Sequence, residues 1–78
     1  MKEALEAIIN SLVSDTTEVS IKEEVSEKNI VFNVQVAASD MGKIIGKEGR
    51  IAKAIRTIMQ SIATKEGKRV SIEFIDKE

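Results

Sequence analysis

The chain has no cysteine, histidine, proline, tryptophan or tyrosine, and only two phenylalanines and four glycines among its 78 residues. Without cysteine there are no disulfides, thiol nucleophiles or zinc–thiolate sites, and without histidine the common acid–base and triad chemistries are excluded as well. Carboxylates could still hold a metal, but no spaced Asp/Glu cluster resembles a calcium loop. No run of about 18 apolar residues is present to span a membrane. The opening Met1-Lys2-Glu3 leads into an acidic, amphipathic stretch, which lacks the charged-then-apolar layout of a signal peptide and makes the cytoplasm the expected location. Pro-rich stretches, glycine-rich linkers and internal repeats are absent too.

What remains fits one small domain over residues 1–78. A hydrophobic content of 42% is too high for simple disorder. A chain this short buries only about 60–65% of its unfolded surface, so the core is modest. The net charge of −1 hides an uneven distribution. Residues 1–40 hold three basic and eight acidic groups, whereas residues 41–78 hold nine basic and five acidic ones. The positive charge concentrates in Lys43, Lys47, Arg50, Lys53 and Arg56, with Glu48 alone against them. Such a patch can steer an anionic partner locally, while the acidic half limits indiscriminate binding.

Periodicity sets out six elements. Leu5, Ile8, Ile9, Leu12 and Val13 recur as the apolar face of a helix over about Lys2 to Ser14. Strand one spans about Glu18 to Ser26, with Val19, Ile21 and Val25 inward and Glu23 interrupting them. A turn at Glu27-Lys28-Asn29 leads to strand two, about Ile30 to Ala38, whose inward face is Ile30, Phe32, Val34 and Val36. Ser39 or Asp40 reads as an N-cap for a short helix from about Met41 to Ile45, which Gly46 ends. A longer helix runs from about Arg50 to Lys65, with Ile51, Ile55, Ile58, Met59 and Ile62 inward and Arg50, Lys53, Thr57 and Gln60 outward. Strand three covers about Arg69 to Ile75. The order α-β-β-α-α-β predicts an α+β domain: a three-stranded sheet with its helices packed on one face. The other face stays open, lined by Ser20, Lys22, Asn33, Gln35, Ser71 and Glu73.

The segment Gly42-Lys43-Ile44-Ile45-Gly46-Lys47-Glu48-Gly49-Arg50-Ile51 is the most informative. Two helices meet across a Gly-x-x-Gly loop flanked by basic residues. Glycines without Cβ atoms let a sugar-phosphate backbone approach closely. The helix that follows offers unpaired N–H groups and a favourable dipole to a phosphate, and Lys47 and Arg50 add charge there. No base stacking is needed, which suits a chain whose two Phe both read as core. Ile44 and Ile45 divide between the interior and a groove for bases, with Val36 as a candidate opposite wall. Arg56 and Lys65 read as a solvated helix face. The same segment fails as a nucleotide-triphosphate loop, which needs four residues between its glycines and Ser or Thr after the Lys. With that loop, His and Cys all missing, no catalytic role, small-molecule substrate or cofactor is expected.

Residues 45–51, followed by Ala54-Ile55-Arg56, resemble the signature of KH domains, and the element order resembles their type II, bacterial arrangement. Across essentially its whole length the chain is similar to the small KhpA-type family of bacteria. The resemblance implies a loop that clamps about four nucleotides of single-stranded RNA. It implies RNA-binding roles at the loop residues Gly46, Lys47, Glu48 and Gly49, to which the basic and groove readings add Lys43, Ile45, Arg50 and Lys53. It also implies an RNA chaperone or post-transcriptional regulator paired with itself or with a second KH-containing RNA-binding protein. Glu48 departs from the family pattern, in which neutral or basic residues are common, and is expected to turn toward Lys47 or Lys43. The alternative is a protein-interaction adaptor with a degenerate loop, favoured by the acidic first half.

Overall fold

The computed structural model describes residues 1–75, the side chain of Lys47 excepted. Helix α1 spans Lys2–Leu12, a 3₁₀ turn follows at Thr16–Glu18, and strands β1 (Ser20–Val25) and β2 (Asn29–Gln35) form a hairpin. The helical span α2 covers Ala38–Lys65, and β3 covers Arg69–Phe74. The sheet order is β1-β2-β3, with β1 antiparallel and β3 parallel to the central β2. A parallel pair cannot be joined by a tight turn, so the whole of α2 serves as the crossover that carries the chain back over the sheet.

The two helices expected between residues 41 and 65 occur as the one span α2, but its backbone is not right-handed throughout. Glu48 has φ +61° and Gly49 φ +70°. Two successive left-handed residues divide α2 into arms of residues 38–47 and 50–65, so the loop between helices is a reversal of handedness inside one span. The first arm begins at Ala38, with Ala37 as N-cap and no side-chain cap bond. Neither Ser39 nor Asp40 caps it: the extended chain after β2 turns helical sooner than the cap signal indicated, and Asp40 falls inside the first turn.

The core lies between one sheet face and the helices. On β2 every second residue is buried, namely Ile30, Phe32 and Val34, and Val36 continues the set just beyond the strand. Leu5 and Ile9 of α1, Ile44 on the first arm of α2, Ile55 and Met59 on the second, and Ile72 of β3 pack into the same cluster. The long helix is rotated from the expected face. Ala52, Ile55, Met59 and Ala63 are its buried line, whereas Ile58 is 47% exposed. At about 100° per residue, a line centred between Ile55 and Met59 leaves Ile58 at the margin, and the two alanines let the helix lie close to the sheet. On β1, Glu23 and Val25 pair with Phe32 and Ile30 and share their face, yet both are exposed. The helices cover Ile30 and Phe32 on the central strand but leave this part of the edge strand β1 open, which is why a charge is tolerated in the inward set.

Candidate nucleic-acid interface

Gly46, Glu48 and Gly49 reach the surface. Glu48 is exposed, and Gly46 and Gly49 are half-buried. A Cβ added at either glycine would meet no atom within 4 Å. Gly49 is explained by its left-handed backbone, which disfavours L side chains. Gly46 has no such explanation: its φ is not positive and nothing packs on it. A glycine within a helix costs roughly 0.5–1 kcal/mol relative to Ala, so Gly46 weakens the helix without serving its packing. Gly42, one turn earlier on the same face, is likewise open.

The remaining site residues divide. Arg50 and Lys53 are exposed on the second arm, and Ile45 is 47% exposed beside the loop while Ile44 is buried. The side chain of Lys47 lies outside the described residues. Val36 is fully buried and cannot wall a groove; the alternation of β2 continues past the strand and turns it into the core. Lys43 points away from the loop. Its Nζ donates to Ser14 Oγ at 2.6 Å and to Asp40 Oδ1 at 3.4 Å, so its ion pair is with Asp40 and not with Glu48.

Asp40 was missed as more than a cap. Its side chain is completely buried and accepts the backbone N–H groups of Ser14 (2.9 Å) and Asp15 (3.2 Å). It thereby ties the segment after α1 to the arm that carries the loop. Chiefly because Ser14 N–H donates to it, the carboxyl is held below the usual range; burial opposes this, and Asp15 N–H and Lys43 reinforce it. A depressed carboxylate stabilises the fold above its unfolded value, near pH 4, and that contribution disappears as pH falls through the native value. Asp40→Asn should therefore lower the Tm at neutral pH by on the order of 5–10 °C, through poorer pairing of two backbone donors. It should also flatten the fall of Tm with acid. Melts between pH 2 and pH 7 check this, and an unchanged acid slope would refute the assignment.

Arg56, expected to be merely solvated, is fixed against β3. Its Nε donates to Ile72 O at 3.2 Å and its guanidinium lies 5.6 Å from the centre of the Phe74 ring. Farther along the same arm, Gln60 accepts from Val70 N–H at 3.1 Å and donates to Thr64 Oγ1 at 3.0 Å and, at 3.4 Å, to Lys68 O. These side chains occupy the free edge of the sheet, and an open groove runs beside them between α2 and β3. The outward run Arg50, Lys53, Thr57, Gln60 had signalled one helical face; that it borders a strand edge depends on the parallel placement of β3.

Among the described residues, no group of three or more Asp or Glu could hold a metal ion, and no helix is long and apolar enough to cross a membrane. Residues 2–74 match the family described as KhpA/KhpB, KH domain. The chain belongs to this family. The match takes in every element from α1 to β3, and the family is a non-enzymatic one. Among similar proteins are three called RNA-binding protein KhpA. The one from Clostridium acetobutylicum is 52% identical over 96% of this chain and 100% of its own length. That from Clostridium perfringens is 48% identical over the same shares. That from Chlamydia pneumoniae is 48% identical over 99% of each chain.

Proposed function

We propose that this chain is a non-catalytic RNA-binding protein that holds the backbone of single-stranded RNA at Gly46–Gly49, and that it acts as an RNA chaperone or post-transcriptional regulator. The observation that carries the reading is Gly46, a helix-weakening glycine at the surface with no steric or conformational role in the fold. Bare backbone there suits close approach by a ligand, and the first turn of the second arm supplies N–H groups and a dipole for a phosphate. Arg50 and Lys53 lie exposed on that arm and would add charge, with Lys47 between the glycines, while the exposed Ile45 offers apolar contact to a base. Glu48 would moderate affinity by repelling phosphate. Lys43, paired with Asp40, would act chiefly by bracing the first arm. The names of the relatives support RNA as the ligand class.

A single copy offers few contacts, so pairing with itself or with a second KH-containing protein would raise avidity through effective concentration. Titration of labelled single-stranded RNA tests the reading. With about two to four phosphate contacts, the slope of log K against log salt should be about −1.5 to −3, at about −0.7 per contact on single strands. No binding at high micromolar protein and low salt would refute it and leave the adaptor role.

A further inference from the structure

The edge of the sheet opposite β3 is open. Strand β1 has β2 on one side only, and its Lys22, Glu23 and Glu24 make no ion pair among the described residues. The hairpin shows which backbone groups of β1 are free. Ser26 N–H donates to Asn29 O at 2.8 Å, and hydrogen-bonded pairs alternate along an antiparallel ladder. In the register from Ser20–Gln35 to Val25–Ile30, Ser20, Lys22 and Glu24 therefore bond to β2. The N–H and C=O groups of Ile21, Glu23 and Val25 point out from the edge, a row that can template another strand. Val25 is 58% exposed. Glu23 stands in the middle of the row, an exposed charge on the sheet face that carries Phe32 and Ile30.

This edge is complementary to itself in one register. In a two-fold antiparallel pair centred on residue 23, Ile21 lies opposite Val25 of the second copy and Lys22 opposite Glu24, each pair being made twice. The Lys22–Glu24 pairs fall at the non-hydrogen-bonded positions, where Cα atoms are about 4.5 Å apart and side chains are closest. Moving the centre to residue 22 or 24 sets Lys22 or Glu24 against itself and places Ile21 or Val25 opposite Glu23. The one conflict in the favoured register is at its centre, where Glu23 meets Glu23 of the second copy. Like charges directly opposite destabilise paired strands, and an inward-pointing charge is one way a sheet keeps its edge from pairing. We infer that β1 is a docking edge for a second copy of this chain, joined in this register into one continuous sheet, and that Glu23 holds the association weak. The pairing uses up the β1 edge of both copies, so it closes at two. It leaves the β3 edge free, because β2 lies between β1 and β3.

Sedimentation equilibrium of the full chain over a range of concentrations tests the assignment. Glu23→Gln removes the opposed charges and should lower the dimer dissociation constant about tenfold or more. In that background, Lys22→Glu turns both attractive pairs into repulsive ones and should reverse the gain. Combining Lys22→Glu with Glu24→Lys should restore it, because the exchanged charges meet again in the same register. Circular dichroism confirms that each variant is folded, all three side chains being exposed. An unchanged dissociation constant for Glu23→Gln overturns the proposal. A Glu23→Gln dimer indifferent to Lys22→Glu also overturns it, since such a dimer uses another face. Assemblies larger than two copies do so as well, because a closed pair forbids them.

Discussion

Replacing Gly49 with Asp should weaken single-stranded RNA binding by about 100-fold or more while leaving the domain folded. A loss of that size is about 2.7 kcal/mol. The fold should tolerate the change, because a Cβ at this position meets no atom within 4 Å and the only cost is the left-handed backbone at φ +70°. That cost is roughly 1–2 kcal/mol for most residues and least for Asp and Asn, which visit this region more readily. The carboxylate would project beside Glu48 into the space the proposal gives to a phosphate. Gly49→Asn separates the effects: it has nearly the same shape and conformational cost but no charge, and its affinity should fall between those of wild type and Gly49→Asp. A folded Gly49→Asp protein with wild-type affinity would remove the loop from the binding site.

Phe32→Ala should produce the largest loss of stability. Phe32 is fully buried in the middle of the central strand, between a neighbour on each side. Truncating a buried Phe costs about 3–5 kcal/mol, because transfer energy is lost and a cavity remains. At roughly 0.05–0.15 kcal/mol per residue, a domain of this size has only about 4–12 kcal/mol to lose. The urea midpoint should therefore fall by at least about a quarter, and the variant should be partly unfolded without denaturant if the wild type lies at the lower end of that range. Urea titration followed by circular dichroism measures this. A change below about 1.5 kcal/mol would mean that the core collapses around the vacancy far better than its packing implies.

The agreement between sequence and structure has a physical pattern. The inward alternation of Ile30, Phe32, Val34 and Val36 was legible because a pleated strand turns its side chains with period two whatever surrounds it. The opening helix was legible for the same reason at period 3.6, and the Gly-x-x-Gly loop because a left-handed residue strongly selects glycine at position 49. The N-cap was misplaced because Asp40 has the right chemistry to receive backbone N–H groups, but the donors belong to Ser14 and Asp15, about 25 residues earlier in the chain. Ile58 was misassigned because five apolar residues on one helix are compatible with several rotations, and only contact with the sheet selects one.

Sequence alone thus determined the elements, their order, the loop and the family resemblance, all set by interactions among residues a few positions apart or by conformational limits of single residues. The tertiary structure decided that β3 lies parallel to β2 at an edge, that Arg56 and Gln60 occupy that edge, that Lys43 is committed to Asp40, and that Lys28 stands beside Lys68 and Arg69 some 40 positions later. Those outcomes depend on which faces meet across the core. That choice belongs to the packed whole, because the hydrophobic effect which drives it has no direction of its own and no short-range pattern records it.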